Sequence, residues 1–331
     1  MRASPISELT HVAAVRREAQ ALAQAGGLDE QAAGRLAIVV TELATNQLKH
    51  ARHGEILIGS YADATGAGVE VLALDRGPGI RRLQESLLDG FSTAGSPGQG
   101  LGALRRQSDH FELATWPDRG LAVLCRIAGP GPRPSAPASR FTWSGISIPL
   151  AGEEACGDAF GVRCQDDKLM ALVADGLGHG PIAAVASTAA VRRFAQLNGA
   201  PPDEAMRALH EALRPTRGAA LGLLRIETGG AQYAGVGNIS GAILRPDGIS
   251  RLVSVAGTAG LTQTRFRTFS YPAGPGALAI LASDGISTTW RLEEYPGLAE
   301  AHPSLIAAVL FRDFARRRDD ATVLVIRVEA P

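Results

Sequence analysis

Glu42, Asn46 and Lys49 stand four and three residues apart, so in a helix they share one face. A carboxylate and an amide one turn apart can orient water and a magnesium ion, which takes oxygen ligands and substrate phosphates. The alternative for this trio alone is a solvated helix face. Two further pieces follow in order. Asp75 closes the apolar run Val69–Leu74 and leads into Arg76-Gly77-Pro78-Gly79, where a carboxylate can accept from an exocyclic amine while bare backbone approaches a flat base. Phe91 to Gly102 then supplies Thr93, Gly98, Gly100 and Gly102 ahead of a short helix, Ala103–Ser108. Glycines before a helix N-terminus form a phosphate cradle of backbone N–H groups. Together the three pieces point to a bound nucleotide.

A second constellation is acidic. Asp158, Asp175, Asp284 and Asp319 each fall at or near the end of an expected strand, beside glycine or another acid. One Asp-Gly step is usually a turn. Four carboxylates converging from separate strands repel one another unless cations neutralise them. Hard oxygen donors suit Mg2+ or Mn2+ rather than zinc, and a pair of such ions ~3.5–4 Å apart activates water for in-line attack at phosphorus.

The elements that position these groups divide at Gly129 to Ser139, which holds four prolines and two glycines and reads as a stiff linker. Before it, Val12 to Ala25 and a stretch capped by Asp29 and running to about Ala51 are helical. Ile56–Tyr61, Val69–Asp75, Phe111–Thr115 and Ala122–Ile127 have strand character. After it come strands at Ser144–Pro149, Asp158–Cys164, Leu169–Ala174, Ala220–Glu227, Gln232–Val236, Gly241–Arg245, Leu278–Ala282 and Thr322–Val328. Helices are expected at Pro181–Asn198, Asp203–Leu213 and Pro303–Arg316. The pattern predicts an α+β chain: an α/β sandwich over 1–128, a linker over 129–139, and a β-sandwich covered by helices over 140–331. Two separately folded units are implied.

Composition sets limits. Of the 331 residues, 45% are hydrophobic and 20% charged, which is ordinary for a globular protein. Net charge is zero, and basic and acidic residues nearly balance within residues 1–128, so no dedicated nucleic-acid surface is expected. Three cysteines without a CxxC pair suggest reduced thiols, and no run approaches the ~18–20 apolar residues of a membrane span. A cytoplasmic protein with no membrane partner is the expectation.

TELATNQLKHA, DRGPGI and DGFSTAGSPGQGLGALRRQSDHFEL make residues 1–128 resemble the GHKL (Bergerat-fold) ATPases, in particular the stressosome switch serine kinases. The resemblance implies that Asn46 coordinates Mg2+, Glu42 is the acid/base, Asp75 binds adenine, Gly77 and Gly79 shape its pocket, and Gly98, Gly100 and Gly102 line the phosphate lid. Lys49 and Thr93 belong to the same set. Arg105 either approaches phosphate or lies on the surface. Phosphoryl transfer asks mainly for positioning and charge neutralisation. His50 and His53 lie beside the motif rather than in a phosphoacceptor helix, which disfavours a histidine kinase.

ACGDAF, LVADGLGHG, RGAALGLLRI, YAGVGNISG, LASDGI and DDATVLVIRV make residues 140–331 resemble the PPM (PP2C-like) serine/threonine phosphatases of the SpoIIE branch, an αββα sandwich. By that resemblance Asp175 bridges two metals, Gly176 offers its carbonyl, Asp284 and Asp319 complete one site and Asp158 contributes to the other. Asp320 stands behind them. Larger PPM enzymes carry a glutamate immediately before the first aspartate, where this chain has Gly157; Glu153 and Glu154 are near but out of register. Asn238 is expected to order a turn. His179 either protonates the leaving serine oxygen or caps the helix that follows Pro181.

The resemblances imply a bifunctional switch that uses ATP, Mg2+ and Mn2+ and acts on a STAS-domain phosphoprotein or anti-sigma antagonist. The alternatives are a phosphatase gated by a non-catalytic ATP-binding module, and a degenerate partner-switching scaffold.

Overall fold

The structure, a computed structural model, describes residues 1–63, 66–80, 100–131, 140–165, 167–262 and 265–330. Thr93, Gly98 and most of the Pro-rich linker lie outside the described residues. The chain divides into two units, Met1–Pro137 with Arg291–Arg312, and Ala138–Trp290 with Asp313–Pro331. The first unit thus includes a stretch from beyond the linker, which the sequence reading assigned to 140–331.

In the first unit, β1 (Arg2–Pro5), β2 (Glu55–Asp63), β3 (Gly66–Asp75), β4 (His110–Trp116) and β5 (Gly120–Ala128) form one antiparallel sheet in the order β1-β2-β3-β5-β4. One face carries α1 (Leu9–Ala25), α2 (Glu30–His50) and α3 (Gly100–Gln107). The Asp29 carboxylate starts α2 by accepting from the Ala32 N–H at 2.7 Å. Val12, Val15, Ala19 and Ala23 of α1 and Leu36, Val39, Val40, Leu43 and Ala44 of α2 are the buried stripes. They meet Ile56, Ile58, Val69, Val71, Ala73, Val123, Cys125 and Ile127.

The opposite face of the sheet is also buried. Leu57, Leu72, Leu74 and Leu124 alternate with the residues just named and are fully enclosed. Burial on both faces explains why Val69–Leu74 reads as a nearly unbroken apolar run. Along this face lies α6 (Pro303–Phe314), whose residues Pro303–Arg312 are all buried. Ser304, Ala308 and Arg312, four apart, share one side of it. The Ser304 hydroxyl meets Glu70 at 2.7 Å and Arg126 at 3.1 Å, while Arg312 donates to the Asp75 carbonyl at 2.8 Å. The helix therefore runs along β3 and β5, with Leu72, Leu74 and Leu124 between the two anchors. Arg126 also pairs with Glu70 and Asp63, each at 2.7 Å.

In the second unit, β6 (Phe141–Ile148), β7 (Asp158–Gln165), β8 (Lys168–Gly176), β9 (Ala219–Glu227), β10 (Gly230–Val236), β11 (Ser240–Arg245), β12 (Gly248–Arg251), β13 (Ser254–Val255), β14 (Phe269–Tyr271), β15 (Leu278–Ala282) and β16 (Ala321–Val328) build two sheets. Their orders are β13-β10-β9-β8-β7, with β14 also on β10, and β12-β11-β15-β16-β6. Between them Leu169, Ala171, Val173, Leu224 and Tyr233 pack with Phe141, Ile243, Leu281, Leu324 and Ile326. The alternate residues Met170, Leu172, Ala174, Leu221 and Leu223 face α4 (Gly180–Phe194) and α5 (Pro202–Leu213). The fold is α+β as expected, with an α/β sandwich in the first unit and two packed sheets covered by α4 and α5 in the second.

Candidate functional sites

Asp75 closes β3 and is 7% exposed. Its Oδ1 accepts from the Gly77 N–H at 2.6 Å. Burial pushes its carboxyl above the ordinary value, opposed by the Gly77 amide, the Arg312 charge and the Leu121 amide. A Cβ at Gly77 would come 2.9 Å from that Oδ1, and one at Gly79, where φ is +71°, would lie 2.4 Å from the Trp116 carbonyl oxygen. Glycine at both positions keeps the floor beside Asp75 bare, which suits a flat base. The end of α2 reaches the same place: the Arg76 N–H donates to the Arg52 carbonyl at 2.9 Å. Glu42 and Asn46 are partly exposed on α2, and Lys49 is exposed near its end. Gly100 opens α3 and Gly102 is buried in its first turn, while Arg105 is exposed. Arg35 of α2 holds the far end of α3, through the Gln107 carbonyl at 3.2 Å and Asp109 at 3.0 Å.

In the second unit Asp158 and Asp175 face each other as a register pair of β7 and β8. Like charges directly opposite on a sheet destabilise it. Burial raises both carboxyls. Neighbouring carboxylates add to this, Asp320 and Asp319 at Asp158, and Asp158, Asp284, Asp319 and Asp320 at Asp175. Asp319 is raised as well, first by burial. Asp158 Oδ2 is buried with no hydrogen-bond partner. Among the described residues no three His, Cys, Asp or Glu side chains are gathered closely enough to hold a metal ion as they stand. The donor set nevertheless fits hard cations: an orphaned buried oxygen and mutually destabilised carboxylates, all oxygen ligands.

The surroundings fix these acids. Asp320 accepts from the Leu150 N–H and the Gly157 N–H, each at 2.7 Å, and so ties both ends of the β6–β7 loop. A Cβ at Gly157 would fall 2.6 Å from Asp320 Oδ2 and 2.7 Å from the Ala183 Cβ. The acid missing before Asp158 therefore has no room. At Gly176 a Cβ would sit 2.1 Å from the Ala183 carbonyl oxygen, so only glycine fits. Asn238, expected to order a turn, instead donates its side-chain amide to Asp284 Oδ2 at 2.6 Å and orients that carboxylate.

His179 occupies the N-cap position of α4 but makes no side-chain cap bond, which corrects the capping alternative. Its Nδ1 lies 2.6 Å from Glu153 Oε1. An ionised carboxylate only accepts, so Nδ1 is the donor and Nε2 remains to exchange a proton. Glu153, out of register as a metal ligand, is thus the group that sets the imidazole. No local spacing points to this partner, and Arg312 behind Asp75 is signalled only by a charge set in an apolar helix.

The raised acids predict a pH dependence for the metal-free chain. A carboxyl whose folded pKa exceeds its unfolded one binds more protons when folded, so stability falls as pH rises through that interval. With Asp175 pushed up to about 8, unfolding in EDTA should occur at progressively lower temperature from pH 5 to pH 8. Mn2+ should restore more stability at pH 8 than at pH 5. Equal Mn2+ effects at both pH values in thermal melts would contradict the acid cluster as a cation site.

Comparison with known proteins agrees with both halves. The histidine kinase-like ATPase domain family matches residues 6–127, and the SpoIIE (stage II sporulation protein E) family matches residues 165–329. Serine/threonine-protein kinase RsbT of Bacillus subtilis (strain 168) is 32% identical over 112 residues, 34% of this chain and 84% of RsbT. Phosphoserine phosphatase RsbX of the same organism is 27% identical over 139 residues, 41% of this chain and 70% of RsbX. A solved chain described under "The bacterial stressosome: a modular system that has been adapted to control secondary messenger signaling" superposes with a TM-score of 0.54 at 30% identity, covering 56% of this chain and 99% of its own length. RsbX in complex with magnesium superposes at 0.50 with 21% identity, covering 57% and 96%, a likeness of fold.

Proposed function

Because the chain belongs to the histidine kinase-like ATPases in its N-terminal third and to the SpoIIE family in its C-terminal half, we propose that it both adds and removes a phosphate on a protein serine or threonine. The kinase activity named for RsbT and the phosphoserine phosphatase activity named for RsbX are brought to one chain. The target is a STAS-domain phosphoprotein or anti-sigma antagonist of a cytoplasmic partner-switching system. The single observation that carries the reading is the Asp158–Asp175 pair with its orphaned oxygen, an arrangement that costs stability and is rationalised by cations.

Asp158, Asp175, Asp284, Asp319 and the Gly176 carbonyl would hold Mg2+ or Mn2+. When bound, such ions supply positive charge and acidify water. Asp320 ties both ends of the β6–β7 loop, at Leu150 and Gly157, and Asn238 fixes the rotation of Asp284. Glu153 holds His179 so that Nε2 can give a proton to the departing serine oxygen. In the first unit Asp75 would accept from the adenine amine over the bare Gly77–Gly79 floor. Asn46 and Lys49 would face Mg-ATP phosphates, Thr93, Gly98, Gly100 and Gly102 would belong to the same phosphate-binding set, and Glu42 would take the acceptor hydroxyl's proton.

Hydrolysis of a phosphoserine STAS-domain protein with Mn2+ tests the phosphatase half; full activity in EDTA would defeat it. For the nucleotide half, Asp75→Asn should weaken ATP binding by ~1–3 kcal/mol, roughly 5- to 150-fold, the loss for an unmade charged hydrogen bond. Unchanged affinity by calorimetry would reject the pocket.

A further inference from the structure

The stretch Arg291–Arg312 lies in sequence between Asp284 and Asp319, yet packs in the first unit. Its contacts there are specific. The Trp116 indole donates to the Pro296 carbonyl at 3.0 Å and meets Tyr295 edge-on, with ring centroids 5.2 Å apart. The His302 N–H donates to Glu112 at 2.8 Å. Ser304 joins the buried Glu70–Arg126 pair. At the other end Arg312, 2% exposed, donates to the carbonyls of Asp75 at 2.8 Å and Leu121 at 3.3 Å, and Arg76 donates to the Arg312 carbonyl. One buried arginine therefore holds the backbone of the residue whose carboxylate would meet adenine.

Both ends of the stretch lead to the acid cluster. The Ser287 N–H donates to the Phe314 carbonyl at 2.9 Å, the Arg316 N–H to the Gly285 carbonyl at 2.8 Å, and Ile286 and Ala315 form a bridge. Gly285, next to Asp284, is so close to the Asp320 backbone that a Cβ would lie 1.9 Å from its carbonyl oxygen. Within the second unit these bonds tie together the chain on either side of the stretch, beside Asp284 and Asp319.

We infer that Arg291–Arg312 is a coupling segment through which nucleotide at Asp75 alters the placement of Asp284 and Asp319. The inference rests on the nucleotide and phosphatase readings above. A ligand shifts such an equilibrium only by binding its two states unequally. Here the shared element is Asp75, whose side-chain carboxylate adenine would engage and whose main-chain carbonyl Arg312 engages. The coupling is reciprocal: ions at the acid cluster change nucleotide affinity by the same factor. Arg312 is a positioning residue that reaches neither substrate.

Amide hydrogen exchange on the full chain tests this, with and without an ATP analogue carrying an imido β,γ bridge, at one fixed free Mg2+ concentration. In the wild-type chain the analogue should slow exchange several-fold in peptides spanning 284–287 and 314–320, where the Ser287 and Arg316 amides report. In Arg312→Met, calorimetry should still show analogue binding, while the change in those two peptides disappears. Wild-type protein that binds the analogue with unchanged exchange at both peptides overturns the coupling, whether or not the variant folds. An unchanged response in Arg312→Met overturns the route through this arginine. Wild-type protein that binds no analogue overturns the nucleotide reading and the inference with it.

Discussion

Replacing Asp175 with alanine is expected to lower metal-dependent phosphate release by about a thousandfold or more. The side chain lies opposite Asp158 and within the field of Asp284, Asp319 and Asp320. Metal ions contribute several kcal/mol of transition-state charge stabilisation in such enzymes, and ~4 kcal/mol corresponds to ~10³ in rate. Asp284→Ala should act similarly and would also leave the Asn238 amide without this acceptor. Neither change should unfold the chain, because each removes a charge that its neighbours disfavour. The metal-free Asp175→Ala protein should in fact melt higher than the metal-free wild type at pH 8. Phosphate release within tenfold of wild type, with Mn2+ saturating, would contradict the metal assignment.

A fragment of residues 1–128 is expected to be insoluble or loosely packed, although the Pro-rich linker read alone implies an autonomous domain. The fragment lacks Arg291–Arg312, and Leu72, Leu74 and Leu124 lie between the points where α6 is anchored on β3 and β5. Burial of a leucine is worth about 1.5–3 kcal/mol, so exposing three forfeits about 4.5–9 kcal/mol. That is comparable with the whole ~5–15 kcal/mol stability of a domain. The loss is compounded at Arg126, Glu70 and Asp63, whose buried network loses Ser304. Sedimentation and dye binding on the fragment check this. A monomeric fragment with a sharp thermal transition would mean that the second face of the sheet needs no cover.

The difference between these two expectations shows where sequence is informative. Helix α2 was readable because its determinants are local: Asp29 at the cap and a stripe from Leu36 to Ala44. The strands before Asp175 and Asp284 were readable because an apolar run ending in Asp-Gly is local too, and those after Asp158 and Asp319 because each acid directly precedes a strand-like run. β1 was not: it is four residues long, ends in Pro5 and is defined only by its partner β2. Helix Pro303–Phe314 was visible, but its docking surface was not, since α-helical periodicity is lost when every side is apolar. The sole hint was Arg312 within that apolar segment. At Gly157 the sequence showed an absent acid, and only packing shows that Asp320 and Ala183 fill the space. The Glu153–His179 contact spans 26 positions and joins a loop to a helix start, so no spacing rule reveals it.

The most direct measurement follows one phosphate through both chemistries. A STAS-domain protein of a stressosome is incubated with the Asp284→Ala chain and γ-labelled ATP with Mg2+, and the wild-type chain is then added with Mn2+. The account predicts label on a serine or threonine of the STAS protein in the first step, much reduced with the Asp75→Asn, Asp284→Ala double variant. It predicts release of that label as inorganic phosphate in the second step, blocked by EDTA. A STAS protein that acquires no label, or label that persists after wild-type chain and Mn2+, would contradict the claim that one chain carries both activities.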